Sequence, residues 1–407
     1  RYIEERKRFL LLPTVPEAPA APAELPPELA ALAQEFGLPP PEPVLENVYR
    51  EYRSRLREKR LLDFDDLVAG AARLLARRDG ILLYYQKRFR HIFVDEYQDI
   101  NFAQYALLRL LAPAATTTAT ENSSGEPAGL CVIGDPNQAI YGFRGADTRY
   151  IDRFSRDYPG AALYNLSQSF RCAAPILTAA GRLVGAHLEG PGHGVSLYRS
   201  AHPTEKAEAE GIARRISRLI GGTTFFAIDS RVSQPQGETE GTGGTQAAPL
   251  TSLGDCAILL RAAALSPPIE KALQDHGIPF HLIGEKPWRE EARIYVDAVS
   301  ILTMHAAKGL EFSHVFIAGL EDGILPFTLY DENPTSAVRS NEEKRLLYVA
   351  MTRAKTGLYL SWAATRIFRG RKLTANPSPF LADIENLIPK AACELPRREK
   401  DPQLTLF

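Results

Sequence analysis

The chain has 407 residues, 45% hydrophobic and 9% aromatic, apolar material for one large core or two ordinary ones, and two domains are the expectation. Lys plus Arg number 48 against 49 for Asp plus Glu, which excludes a globally basic face and leaves only a local groove for any nucleic acid. Cys131, Cys172, Cys256 and Cys393 lie far apart with no C-x-x-C pair, which argues against a zinc site or a disulfide framework and fits a reducing cytoplasm. No apolar run approaches the roughly 20 residues that span a bilayer, so no membrane is expected. The start, RYIEERKRFLLLP, mixes acids among its bases and lacks a small-residue cleavage site, so it is not a signal peptide. Arg1 stands where an initiator Met would, and the expectation is a chain that begins inside a longer polypeptide.

Ten prolines fall between Pro13 and Pro43. They forbid a continuous helix and predict a linker or irregular connection. From Val44 to Arg60 the pattern turns helical and basic. Two low-complexity stretches, Ala112 to Gly129 and about Gly221 to Ser252, read as solvated surface insertions. Between them, short runs such as HIFVD, LCVIGD, CAILLR, AVSILTM and HVFIAGL alternate with helical stretches such as NFAQYALLRLL and NEEKRLLYVAMTRA. Continuous apolar strands alternating with helices predict buried parallel sheets with helices on both faces, in two units.

The run from His91 to Asp99, HIFVDEYQD, is an apolar strand that delivers two adjacent carboxylates at its carboxyl end, where open α/β sheets hold ligands. This is the Walker-B arrangement: Asp95 would hold Mg²⁺, usually through water, and Glu96 would polarise the water that attacks a γ-phosphate. After the strand LCVI comes Gly134 to Ala146, GDPNQAIYGFRGA. Together the two runs resemble motifs II and III of the UvrD/Rep/PcrA-type superfamily 1 DNA helicases, in order.

By that resemblance Gln138 would sense the γ-phosphate while Tyr141, Phe143 and Arg144 face single-stranded DNA. The chemistry suits the role, since an aromatic ring stacks on any base for roughly 1 to 3 kcal/mol and Arg adds a phosphate or cation-π contact. LSQSFRC, Leu166 to Cys172, resembles motif IV with Phe170 where the family usually has Tyr. The resemblance implies that Phe170 stacks on adenine and Arg171 reaches across a cleft to the γ-phosphate, although an Arg outside such a motif is ordinarily one half of a surface ion pair. TMHAAKGLEF, Thr303 to Phe312, resembles motif V. Thr303 and His305 would then touch the DNA backbone, Lys308 and Gly309 would shape the loop, and Glu311 would meet the nucleotide sugar. NEEKRLLYVAMTRAK, Asn341 to Lys355, resembles motif VI. Ser340 and Glu343 have capping-box spacing there, Leu346, Leu347, Ala350 and Met351 would form the buried face, and Arg353 would act as an arginine finger.

The resemblance covers roughly Val44 to Pro389. It implies an α/β fold with two RecA-like parallel-sheet domains, the P-loop NTPase helicase core, the first incomplete. The expected divisions are 1–60, a Pro-rich connection and basic helix left from an accessory subdomain; 61–159, the partial first domain; 160–389, the second; and 390–407, a flexible tail. The cofactors implied are ATP and Mg²⁺. The substrates implied are single-stranded DNA and 3′-tailed duplex, moved with 3′ to 5′ polarity in repair or replication. Two departures stand out. No G-x-x-x-x-G-K-[ST] loop occurs in these 407 residues, which points to truncation and an inactive fragment. Tyr295 runs almost directly into motif V where relatives carry a large accessory subdomain. The alternative is a non-catalytic DNA-binding scaffold, against which the retention of Glu96, Gln138, Arg171 and Arg353 weighs. The final QLTLF, which includes Leu404, resembles the peptide by which bacterial replication and repair proteins grip the sliding clamp, with Gln403 to hydrogen-bond at the rim of a pocket and Leu406 and Phe407 as anchors.

Overall fold

A computed structural model of the chain describes residues 1–13, 25–114, 129–192, 194–220, 252–284, 297–329 and 337–390. Most of both low-complexity stretches lies outside the described residues, as do Gln403, Leu404, Leu406 and Phe407. The chain divides into two compact units, Arg1–Tyr164 and Asn165–Phe407. No helix among the described residues is long and apolar enough to cross a membrane.

In the first unit, α1 (Tyr2–Arg8), α2 (Pro27–Glu35), α3 (Pro43–Glu58), α4 (Phe64–Arg77), α5 (Asp79–Arg88) and α6 (Phe102–Leu111) accompany two parallel strands, β1 (His91–Val94) and β2 (Gly129–Val132). The short α7 (Arg149–Asp152) and α8 (Phe154–Asp157) close it. The Pro-rich stretch is more than a connection: α2 forms where no proline interrupts from Glu28 to Leu38, with Pro27 tolerated in the first turn. Leu29, Leu32 and Ala33 of α2 join the core built around Tyr97, Phe102, Ala106 and Tyr150. The α1 helix buries charge rather than apolar side chains. Arg6 Nε lies 3.0 Å from Glu46, and Lys7 Nζ lies 2.6 Å from Asp63 and 2.8 Å from Asp66, so each buried cation has an anion. Asp63 and Asp66 also form the capping box that starts α4.

The second unit holds one sheet in the order β3 (Ser196–Thr204), β8 (Ala354–Phe368), β7 (Phe312–Ala318), β4 (Cys256–Leu260), β6 (Val299–Thr303), β5 (Phe280–Leu282). These six strands pair in parallel and β9 (Arg371–Thr374) adds antiparallel to β8. Every residue of β4 is buried, as a central parallel strand between two helical layers must be. On one face Cys256, Ile258 and Leu260 pack with Ile212 and Ile216 of α10 (Glu205–Leu219) and with Ile269 and Leu273 of α11 (Pro267–Asp275). On the other, α9 (Ala174–Val184) packs with α12 (Ala337–Met351) over β7 and β8. Leu346, Leu347, Ala350 and Met351 are all buried, as the helical spacing predicts. The capping box does not form. The helix starts upstream of Ser340, and Glu343 instead takes a bidentate bond from Arg261, 2.7 and 2.9 Å, and one from Phe327 N at 3.2 Å.

A buried ion network locks the α10 face. Arg366 donates from Nε to Glu321 at 2.8 Å and also bonds Glu208. Glu208 accepts further from Gly319 N at 3.1 Å and Ser361 Oγ at 2.7 Å, and Glu321 from Ala363 N at 2.6 Å. All three ions are buried, and the two carboxylates hold the guanidinium's proton far more tightly than water would.

Candidate functional site

In the first unit the register pairs Val94 with Val132, so the segments leaving the two strands emerge side by side at one sheet edge. Asp95 and Glu96 stand there exposed. Glu96 adopts a left-handed backbone, φ 52° and ψ 42°, and its amide donates to Asp95 Oδ1 at 2.9 Å. Such a conformation costs a non-glycine residue on the order of 1 kcal/mol or more and is characteristic of functional turns. It turns the chain so that Gln98 is buried beneath the pair. The Gln98 amide donates to Glu96 and accepts from Asp135 N at 3.1 Å. Asp135 Oδ2 then accepts from Gln138 Nε2 at 2.9 Å, while Oδ1 caps the turn at Asn137 N, 2.9 Å. Gly134 is required by contact rather than by backbone angle, because a Cβ there would sit 2.7 Å from Gln98 Oε1. Glu96 and Gln138, expected to act on the same phosphate, are thus joined through Gln98 and Asp135. Neither linking residue carries a role in the sequence reading. Gln98 lies within the HIFVDEYQD run, but its role depends on β2 being its neighbour.

The next turn, Gly142–Arg144, presents a cation-aromatic group. Tyr141 and Phe143 meet edge to face at 5.9 Å, and the Arg144 guanidinium lies 4.8 Å from one ring centroid and 5.5 Å from the other. Phe143 is 58% exposed. Three side chains able to stack on or neutralise a polyanion therefore share one surface turn.

In the second unit the residues divide between the two edges of the sheet. Thr303 ends β6 level with Ala318, the last residue of β7. Its hydroxyl accepts from Ala306 N at 3.2 Å and so starts the turn that carries His305 and Lys308. Gly309 has φ +82° with open space around a would-be Cβ, so the left-handed backbone is what calls for glycine. Glu311 precedes β7, at the opposite edge. There it meets Arg171 Nε at 2.6 Å and Lys355 Nζ at 2.8 Å. The ion pair ordinary for an exposed Arg is therefore present, made with a residue of another motif. The Lys355 hydrogen bond, seconded by the Arg171 charge, holds the Glu311 carboxyl below the usual glutamate range. Lys355, like Gln98 and Asp135, has no role that its own stretch of sequence announces. Phe170, beside Arg171, is 85% exposed.

Arg353 is at the same edge but turned inward. It is 3% exposed, with bonds to Val349 O at 3.0 Å, Leu310 O at 3.2 Å and Thr352 Oγ1 at 3.3 Å. Its guanidinium here closes the end of α12 and holds the motif V loop. Burial pushes the neighbouring Cys172 thiol up to about 12, which keeps it a neutral packing group.

The profile described as the UvrD/REP helicase N-terminal domain matches residues 28–159, and that of the UvrD-like helicase C-terminal domain matches residues 286–365. The chain belongs to the UvrD-like helicase family. Among its relatives, ATP-dependent DNA helicase UvrD1 of Mycobacterium tuberculosis is 27% identical over 502 residues, covering 83% of this chain and 63% of that protein. DNA helicase II of Escherichia coli is 27% identical over 499 residues, covering 86% and 66%. ATP-dependent DNA helicase UvrD2 of Mycobacterium tuberculosis is 31% identical over 412 residues, covering 83% and 57%. The chain thus spans between 57% and 66% of the length of these UvrD-like relatives.

Proposed function

We propose that the chain supplies the carboxylate, sensor and arginine parts of an ATP-driven motor that moves 3′ to 5′ along single-stranded DNA, in repair or replication. The observation that carries this reading is the hydrogen-bonded line from Glu96 through Gln98 and Asp135 to Gln138, which ends one turn before the Tyr141, Phe143 and Arg144 surface. A change in hydrogen bonding at the carboxylates is then felt where DNA would lie. Asp95 and Glu96 offer exposed, adjacent hard oxygen donors, a set that fits Mg²⁺. When bound, Mg·ATP supplies the phosphoryl bond whose hydrolysis drives the cycle. Asp95 would hold the metal, Glu96 would orient the attacking water and take its proton, and Gln138 would bond at the γ-phosphate. Tyr141 and Phe143 stack on bases without reading them, and Thr303 and His305 contact the backbone. Phe170 stacks on adenine, while Lys308 and Gly309 shape the loop before Glu311. Arg171, exposed and held by one carboxylate, is the cation free to exchange that partner for a phosphate. Arg353 acts from inside, by fixing the loop that ends in Glu311.

The phosphates also need a backbone cradle and a Lys, and no G-x-x-x-x-G-K-[ST] occurs in these residues. A polypeptide of these 407 residues is therefore expected to show no DNA-stimulated ATP hydrolysis, and turnover by the purified chain would refute that. Sequencing the gene upstream of the Arg1 codon separates the motor from a non-catalytic scaffold: an in-frame phosphate loop supports the first, its absence the second. At the other end, a peptide of Lys400 to Phe407 is expected to bind a bacterial sliding clamp at about micromolar Kd. Replacing both Leu406 and Phe407 with Ala should abolish that binding, and equal binding by the double variant would remove the clamp from the partners.

A further inference from the structure

The first unit contains a second, differently built polar feature. Helices α3 and α4 enclose a cleft of about 380 Å³ whose walls carry Arg53, Arg57, Arg73, Arg77 and Arg78 against a single carboxylate, Asp66. The spacing explains the convergence. Arg53 and Arg57 are one turn apart on α3, and Arg73 and Arg77 one turn apart on α4, so each helix directs a stripe of guanidinium groups into the same space. Asp66 is engaged by Lys7 Nζ at 2.8 Å and by the Asp63 amide at 3.4 Å, and its charge offsets only part of what burial does to Arg53 and Arg73.

Among the described residues, Arg53, Arg57, Arg73 and Arg78 form no ion pair, and Nη1 of Arg73 is buried without any hydrogen-bond partner. Burial first, and then the charges of Arg57 and Arg73, push Arg53 below the ordinary arginine range. Arg73 is lowered by burial too, with Arg57 adding to it. A cluster of like charges with a desolvated, unsatisfied donor is costly in isolation and is relieved by an anion. Gly70 adds an independent indication. It sits in the interior of α4, where glycine costs about 1 kcal/mol relative to alanine, and nothing lies within 4 Å of a would-be Cβ. Its missing side chain keeps the cleft open.

We propose that this cleft binds phosphate groups, and that their source is the backbone of a nucleic acid. Guanidinium forks match phosphate oxygens in pairs. Two rows of charge, each spaced by a helical turn, suit successive phosphates of a chain better than one isolated ion. Leu56 and Leu74 line the same cleft and can cover the apolar side of a sugar or base. The inference rests on neither the carboxylate pair nor the aromatic turn.

The test uses the 407-residue chain with two probes, a short labelled oligo-dT and inorganic pyrophosphate. Arg57→Gln with Arg73→Gln should weaken oligo-dT binding about tenfold and reduce the slope of log affinity against log salt by about 1.4, the value for two lost single-strand phosphate contacts. Gly70→Leu keeps every charge, improves helix propensity and fills the cleft, and it should give a comparable loss of affinity; thermal melts establish that both variants fold. Parallel losses for both probes support the site with a nucleic-acid backbone as its ligand. Loss confined to pyrophosphate keeps the phosphate site but overturns the nucleic-acid source. Retention of binding by Gly70→Leu, or absence of binding of either probe by the parent chain, overturns the cleft as a site.

Discussion

The two units place their candidate functional side chains at opposite edges of parallel sheets. In the first, Asp95, Glu96, Asp135 and Gln138 follow the carboxyl ends of β1 and β2, where the geometry of open α/β sheets ordinarily holds a ligand. In the second, Arg171, Glu311 and Lys355 gather where β7 and β8 begin, and only Thr303 and the turn after it stand at the carboxyl edge. The strands also differ in cover. Each residue of β4 is buried on both faces, whereas β1 alternates and Phe93 is 74% exposed. Sequence composition does not separate HIFV from CAILL; the number of helical layers does. A site at a carboxyl edge follows from strand and turn alone, while one at an amino edge needs a helix, a loop and a strand brought together by the whole sheet.

The largest test of this contrast concerns cover. Arg366→Met leaves Glu208 and Glu321 buried without their cation and should destabilise the second unit by about 3–5 kcal/mol in urea denaturation. Phe93→Ser, in the half-covered sheet, should change stability by no more than about 0.5 kcal/mol. A loss above about 2 kcal/mol from the second substitution would mean that the outer face of β1 is packed after all.

Next in size is the surface turn of the first unit. Tyr141→Ala or Phe143→Ala should each cost roughly 1–3 kcal/mol of single-strand affinity, measured by anisotropy, and by similar amounts on oligo-dT and mixed sequence. Dependence on base identity would instead point to edge readout and break the assignment of this turn to stacking.

Much of this was legible beforehand, and what was not has a physical reason. The runs ending in Asp95, Glu96 and Gln138 could be read because apolar strands and their following turns are local. The bridging role of Gln98 could not, since it exists only when β1 and β2 pair in this register. The capping-box spacing of Ser340 and Glu343 misled because α12 extends upstream and Arg261, from a distant strand end, claims the carboxylate. The inward turn of Arg353 depends on the Leu310 carbonyl arriving from another segment. Proline density hid α2, a helix that fits between prolines.

The smallest effect tests the amino-edge cluster itself. Glu311 is held below the ordinary glutamate value by its hydrogen bond to Lys355 first and by the Arg171 charge second. For a carboxylate with a depressed folded value, the stabilising contribution is fully present above the unfolded value, about 4.3, and is lost as pH falls through the folded one. The cluster should therefore be intact at neutral pH and come apart only in acid. A carbon-detected NMR titration of the Glu311 carboxyl should show its midpoint rising toward the ordinary value in Lys355→Gln, and rising less in Arg171→Gln. Because the group is exposed, added salt should shrink both shifts. Equal midpoints in the parent chain and Lys355→Gln would mean that Lys355 does not hold Glu311 in solution, and the cluster would then reduce to the Arg171 pair alone.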